Sequence, residues 1–264
     1  MAWSADQYLR FERERTRPAR DLLAAVHTQS VHRAADLGCG PGNSTELLAT
    51  RFPDATITGV DSSGDMLATA RRRLLDTPDQ RPLKIQLEQA DIATWTPPEA
   101  VDVILANAAL QWIPDHRALL PRLMGHIAPG GSLAVQMPDN QDEPARRLMR
   151  DVAATGPWAG KIADESTTRF PRHPPDWYYT LLRPDASRID IWRTTYYHVL
   201  PGGVAAIVEW FKGSSLRPFL APLGGDEKKA YLARYLAELR RVYPAQPNGA
   251  VLLPFPRLFI VATR

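Results

Sequence analysis

No stretch constrains this chain more than Ala34-Ala35-Asp36-Leu37-Gly38-Cys39-Gly40-Pro41-Gly42-Asn43-Ser44-Thr45. A short apolar run enters it, three glycines follow at alternate positions, and a Ser-Thr pair opens a helical pattern. Glycine loses more chain entropy on folding than any other residue, so a simple turn would carry fewer. The gain is local. Without Cβ atoms a ligand can lie against the backbone, and the amides at the start of the next helix are free to point at it. The pattern reads as a strand–loop–helix unit with a nucleotide-like ligand on the loop. A tight turn with no ligand is the bland alternative, and the residues further along favour the ligand.

Around that loop the chain alternates short apolar runs with helical patterns. Strands are expected at Ala34–Leu37, Thr56–Val60, Lys84–Leu87, Val101–Ala106 and Ser132–Gln136. Helices are expected at Ser44–Phe52, Gly64–Leu75 and Arg117–Ile127, the last closed by Pro129-Gly130-Gly131. Ahead of them lies an Arg-rich arm, with a helix expected after Pro18. Strands alternating with helices imply an α/β fold: a mostly parallel sheet, covered on both faces, with right-handed crossovers. Ligands on such sheets sit past the carboxyl ends of the strands.

The second half differs. A helix at Glu143–Ala154 leads into an irregular Pro- and aromatic-rich tract over Gly156–Pro184. A long strand follows at Arg188–Leu200, then amphipathic helices at Val204–Lys212 and Asp226–Val242, and a final strand at Leu258–Ala262. The expected organisation is one domain over residues 1–264, with a ligand-binding core over 30–138. Residues 139–264 supply helical lid insertions and the last strands.

Composition sets outer bounds. The 264 residues suffice for one large domain, and a net charge of +3 permits a basic pocket but not a nucleic-acid-coating surface. One cysteine, Cys39, allows neither an internal disulfide nor a cysteine metal cluster, and no metal site is expected. The N-terminus lacks the pattern of a secretory signal, and no apolar run approaches the ~20 residues that span a bilayer. A cytoplasmic enzyme acting on a small molecule, with no membrane or nucleic-acid partner and monomeric by default, is the expectation.

The loop can be read more finely. Asp61 ends the second strand roughly 20 residues past the glycines, where an acid accepts hydrogen bonds from both hydroxyls of a ribose. Alone it would be read as a helix cap. A dinucleotide fingerprint wants its third glycine where Asn43 stands, and the negative charge of Asp36 suits a ligand with an ammonium or sulfonium better than a pyrophosphate. An NAD(P)-linked oxidoreductase is therefore the lesser alternative.

Asp36-Leu-Gly-Cys-Gly-Pro-Gly-Asn43, with Asp61, resembles motifs I and II of class I S-adenosylmethionine-dependent methyltransferases. The likeness continues at Ala90-Asp91-Ile92 and Asn107-Ala-Ala-Leu-Gln-Trp112. It implies a Rossmann-like, seven-stranded sheet with S-adenosylmethionine as cofactor. Carried onto this chain, Gly38, Gly40 and Gly42 admit the cofactor and Asp36 organises the loop near its amino group. Asp61 holds the ribose, Ser62 and Met66 pack near adenine, and Asp91 with Ile92 frames the base. Asn107 faces the methionine part. Tyr8 and Arg17 in the N-terminal arm cover the site or pair with the methionine carboxylate. Asp91 reads equally as a turn cap and Met66 as a core residue.

Longer phrases resemble the branch of this family that methylates a carboxylate of trans-aconitate, an inhibitor of the citric acid cycle. They are Asn107–His116, Val135–Asn140, Asp190–His198, Leu216–Phe219 and Phe255–Val261. The implied reaction gives the monomethyl ester and S-adenosylhomocysteine, a detoxification. A tricarboxylate needs fixed cations, and the planar fork of Arg grips a carboxylate bidentately. Arg193, Tyr196, Tyr197 and Arg217 are the candidates, although strand alternation puts Arg193 and Tyr197 on one face and Tyr196 and His198 on the other. Gln111 and Trp112 shape the wall beside the sulfonium. A carboxylate of pKa ~4 is already ionised at neutral pH, so no general base is required and alignment suffices. A methyltransferase for another small acidic metabolite is the nearer alternative.

Overall fold

The computed structural model describes residues 12–76, 84–162 and 173–264. Helix α1 (Glu12–Ala24) runs through Pro18 instead of starting after it. A mid-helix proline forfeits one N–H donor. Here the buried row Thr16, Ala19, Leu22, Leu23 and Val26 outweighs that loss. The chain then passes through β1 (Arg33–Leu37), α2 (Asn43–Arg51), β2 (Thr56–Asp61), α3 (Gly64–Leu74), β3 (Ile85–Gln89) and β4 (Val101–Asn107). A 3-10 turn at Leu110–Trp112, α4 (His116–Gly125) and β5 (Ile127–Pro138) follow.

The sheet has seven strands in the order β3-β2-β1-β4-β5-β7-β6, where β6 is Arg188–Leu200 and β7 is Val251–Thr263. β1 pairs in parallel with both β2 and β4, so Asp36 lies between Gly59 and Leu105. Successive crossovers reverse direction between β1 and β4, which makes the end of β1 the switch point where a ligand crevice opens. At the far end, the Gly130 N–H donates to the Arg264 carbonyl and the Arg264 N–H to that of Gly131. That exchange sets β7 antiparallel to β5. Ser187 donating to Thr263 does the same for β6 against β7.

Three elements depart from the sequence expectation. Pro129-Gly130-Gly131 does not close α4, which ends at Gly125, but lies inside β5. Gly131 is needed there, since a Cβ would stand 2.6 Å from the Asp102 carbonyl of β4, beside an irregularity in the register between Val101 and Val103. β7 begins seven residues before the expected Leu258, because prolines at 254 and 256 are compatible with an extended backbone. The tract expected to be irregular contains α6 (Pro175–Leu182), whose N-terminal prolines need no N–H partner and whose Tyr178 and Leu182 are buried one turn apart.

The chain divides into two compact units. The first comprises Met1–Pro138, Phe170–Thr194 and Leu258–Arg264 and holds the main core, in which Leu37, Ile104, Leu133 and Tyr178 are fully buried. The second comprises Asp139–Arg169 and Thr195–Arg257. It contains α5 (Pro144–Thr155), α7 (Gly203–Lys212), the short α8 (Arg217–Leu220) and α9 (Gly225–Val242). Two tyrosines of α9 bind it to α5: Tyr231 donates to the Met149 carbonyl at 2.8 Å and Tyr235 to that of Ala145 at 3.0 Å. Among the described residues no helix is long and apolar enough to cross a membrane.

Candidate functional site

The loop after β1 is built from left-handed glycines. Gly38, Gly40 and Gly42 have φ of 72°, 53° and 94°. Gly38 is also sterically required, since a Cβ there would stand 2.4 Å from Cβ of Ala109, and Ile92 Cδ1 lies 3.5 Å from the same point. At Gly42 a Cβ would meet Leu74 of α3. Gly40 differs: nothing lies within 4 Å of where its Cβ would be. Its bare backbone faces open space, the arrangement a closely seated ligand needs.

Asp36 is fully buried at the head of this loop. Its Oδ2 accepts from the Ser44 and Thr45 hydroxyls, each at 2.7 Å, which ties β1 to the first turn of α2. Its Oδ1 is buried with no partner among the described residues. Burial pushes the carboxyl up to about 6; the two hydroxyls oppose the shift and the charge of Asp61 adds to it. A charged group left half-satisfied in this way invites a cation. Cys39 beside it is buried, and desolvation raises its thiol further out of reach of ionisation, which leaves it a packing role.

Asp61 ends β2 and closes the loop from the other side. Its Oδ2 accepts from the Gly40 N–H and its Oδ1 from the Ser63 N–H, both at 2.9 Å. Each oxygen keeps a lone-pair direction for a hydroxyl. Ser62 is exposed, whereas Met66 is buried on α3 behind the Ser63 cap. Asp91 caps its own turn, its Oδ1 accepting from Ala93 at 2.9 Å.

A small cavity opens on the loop, lined by Thr16, Ala19, Gly38, Cys39, Pro41, Asn43, Ser44 and Asn107. Asn107 presents a buried Oδ1 with no partner among the described residues. The next residue, Ala108, has a φ of 54°, a strained value for a residue with a Cβ. Gln111 secures that kink by donating from Nε2 to the Ala108 carbonyl at 2.5 Å, and its Oε1 is a further buried acceptor with no described partner. Trp112 is 44% exposed. His116 is a brace: Nε2 meets the Leu110 carbonyl and Nδ1 the Tyr178 hydroxyl, both at 2.8 Å.

Arg17 is exposed on α1, one residue from the cavity-lining Thr16, and Tyr8 lies outside the described residues. On β6 the alternation holds. Arg193 and Tyr197 are exposed, and Tyr196 and His198 are 5% exposed. Within the second unit the His198 ring stacks on Trp210 at 4.4 Å, and Arg217 is half-buried at the start of α8. Sequence reasoning missed Thr16, which lies on the buried row of α1 and lines the cavity.

The comparisons with known proteins agree in direction. A methyltransferase domain family matches residues 35–133. A trans-aconitate 2-methyltransferase of Rhodopseudomonas palustris strain BisB18 is 53% identical over 262 residues, covering 99% of each chain. The chain belongs to the trans-aconitate 2-methyltransferase family. Another member, from Sinorhizobium fredii, is 49% identical and spans 100% of this chain and 99% of its own. Among solved structures, the YcgJ protein of Bacillus subtilis aligns over 94% of this chain and 98% of its own with a TM-score of 0.59 at 13% identity. A Haemonchus contortus phosphoethanolamine N-methyltransferase, solved with phosphomonomethylethanolamine and S-adenosylhomocysteine, aligns over 93% of this chain and 52% of its own at a TM-score of 0.55 and 16% identity. These two likenesses concern the fold alone.

Proposed function

We propose that the chain transfers the methyl group of S-adenosylmethionine to a carboxylate of trans-aconitate, giving a monomethyl ester and S-adenosylhomocysteine. The observation that carries this reading is the 53% identity extending over 99% of both chains. Identity that extensive includes the second unit, where the sequence of a shared cofactor loop would not by itself constrain the acceptor.

The residues fit the cofactor. The bare backbone at Gly40 offers room, and the buried, unpartnered oxygens Asp36 Oδ1 and Asn107 Oδ1 suit an ammonium. When bound, S-adenosylmethionine supplies a methyl group already activated on sulfonium. Gly38, Gly40 and Gly42 let the backbone approach it, and Asp61 receives ribose hydroxyls on lone pairs its two backbone bonds leave over. Ile92, packed toward Gly38, flanks the base with Asp91 and Ser62, and Met66 supports that wall from within the core. Arg17 balances the methionine carboxylate. Gln111 and Trp112 border the acceptor, while Arg193, Tyr196, Tyr197 and Arg217 bind its carboxylates. No residue needs to remove a proton from an ionised acid, so the chain contributes alignment and exclusion of water. His116, with both ring nitrogens occupied by Leu110 and Tyr178, holds the Leu110–Trp112 turn and is not a base.

We assign the enzyme to the cytoplasm, as a monomer with a tricarboxylate substrate and a single domain over residues 1–264. The test is product analysis by mass spectrometry after incubation with S-adenosylmethionine and trans-aconitate. A trans-aconitate monomethyl ester supports the reading. Its absence, with cofactor binding intact, refutes it.

A further inference from the structure

The buried row of α1 carries a polar residue where the core asks for an apolar one. Ala19, Leu22, Leu23 and Val26 lie on that row, and Thr16 continues it at 8% exposure. A hydroxyl in such a place costs free energy unless a hydrogen bond uses it. Other helical threonines of this chain meet the demand locally. Thr50, Thr69, Thr155 and Thr180 donate to the carbonyls of Glu46, Asp65, Asp151 and Asp176, four residues earlier, at 2.7–3.1 Å. Thr16 does not. Its Oγ1 accepts from Asn43 Nδ2 at 3.4 Å, and among the described residues its hydroxyl proton has no acceptor.

Thr16 lines the small cavity on the glycine loop together with Gly38, Ser44 and Asn107. The loop itself has few donors left. From Gly38 to Gly42 every backbone N–H is already used: Gly38 and Cys39 donate to the Val60 carbonyl, Gly40 to Asp61 and Gly42 to the Cys39 carbonyl, while Pro41 has none. The Ser44 proton goes to Asp36. Asn107 brings the opposite chemistry, a buried Oδ1 acceptor with no partner among the described residues. The cavity thus has an acceptor from the end of β4 and a hydroxyl donor from α1. An α-amino acid end divides in the same way, since its ammonium only donates and its carboxylate only accepts.

We propose that Thr16 is a cofactor-binding residue, its hydroxyl donating to the carboxylate at the methionine end of S-adenosylmethionine. The inference rests on the cofactor placement proposed above and adds to it a neutral, buried donor beside the exposed charge of Arg17. The donor is held in place before binding: the apolar row of α1 is packed, and Arg51 of α2 donates to the Val26 carbonyl at 2.7 Å. Little ordering is then lost on binding. Helix α1 becomes the element that distinguishes the intact cofactor from one without its carboxylate.

The test titrates the full-length enzyme calorimetrically with S-adenosylmethionine and with its decarboxylated analogue, which keeps the sulfonium and the amine. Thr16→Val is expected to weaken S-adenosylmethionine about tenfold, the scale of a hydrogen bond to a charged group, and to leave the analogue at its wild-type affinity. Unchanged S-adenosylmethionine affinity overturns the proposal, and so does an equal loss for the analogue. At saturating cofactor the variant keeps the wild-type KM for trans-aconitate; a raised KM at unaltered cofactor affinity would assign the hydroxyl to the acceptor instead. Thr16→Ser retains the hydroxyl and is expected to keep the wild-type ratio of the two affinities. A collapsed ratio in that variant speaks against the assignment. Should Thr16→Val fail to fold, the wild-type protein still decides: equal affinity for the two ligands shows that nothing reads the carboxylate. Failure here is distinguishable from failure of the proposed reaction. In the first case wild type still methylates trans-aconitate; in the second it binds S-adenosylmethionine but methylates no carboxylate.

Discussion

Replacing Asp36 by Asn is expected to stabilise the cofactor-free protein at pH 8 and to leave it nearly unchanged at pH 4. The carboxyl is fully buried, and burial raises it from an ordinary 3.8 to about 6. Below pH 3.8 it is protonated both folded and unfolded and contributes no pH-dependent cost. Between 3.8 and 6 the unfolded chain has released the proton while the folded one retains it, so stability falls as pH rises. Above 6 both states are ionised and the cost is complete. At ~1.36 kcal/mol per pH unit between the two values, that cost is about 3 kcal/mol. Asparagine removes it while its carbonyl still accepts from Ser44 and Thr45, though more weakly than a carboxylate, so the net gain at pH 8 is about 1–3 kcal/mol. Urea unfolding of both proteins at several pH values from 4 to 8 measures the difference. The account predicts a gap that opens between pH 4 and 6 and is flat above. A gap independent of pH, or a variant less stable than wild type at pH 8, refutes the argument that this carboxylate is held ionised at a cost.

Because the ionised form of Asp36 is the one that attracts an ammonium, S-adenosylmethionine affinity should fall as pH drops below 6, approaching about tenfold per pH unit; isothermal titration at pH 7 and pH 5 measures it. Two glycine substitutions should separate structure from binding. Gly38→Ala, at 2.4 Å from Ala109 Cβ and with a φ of 72°, is expected to lower unfolding stability by about 2–4 kcal/mol. Gly40→Ala, with a φ of 53° and nothing near its Cβ, should cost only about 1–2 kcal/mol while abolishing most cofactor binding, as read by melting and titration together. Arg193→Ala is expected to raise KM for trans-aconitate and leave cofactor affinity unaltered; unchanged acceptor kinetics would remove this exposed residue from the site.

The parallel half of the sheet was legible because its signals are local. Apolar runs, three glycines and acids at the strand ends are read from neighbouring residues, and Asp36, Gly38, Gly40 and Asp61 stand at one loop as expected. What escaped depends on partners distant in sequence. Gly131 looks like a helix stop until the Asp102 carbonyl is seen against it. Pro18 looks like a helix start until the apolar row of α1 finds its cover. Tyr178, in a tract read as irregular, is fixed by His116 far upstream. Alternation along β6 correctly separated Arg193 from Tyr196, but only the fold reveals which face is buried.

The central claim is that the methyl group goes to a carboxylate of a tricarboxylic acid. Its most direct test is a measurement of kcat/KM with radiolabelled S-adenosylmethionine across trans-aconitate, cis-aconitate, citrate, a dicarboxylate such as fumarate, and a primary amine. The account predicts that trans-aconitate ranks first, that the label is recovered in a base-labile ester, and that the amine accepts none. Preferential labelling of the amine, or no labelling of any acid by enzyme that binds the cofactor, would contradict it.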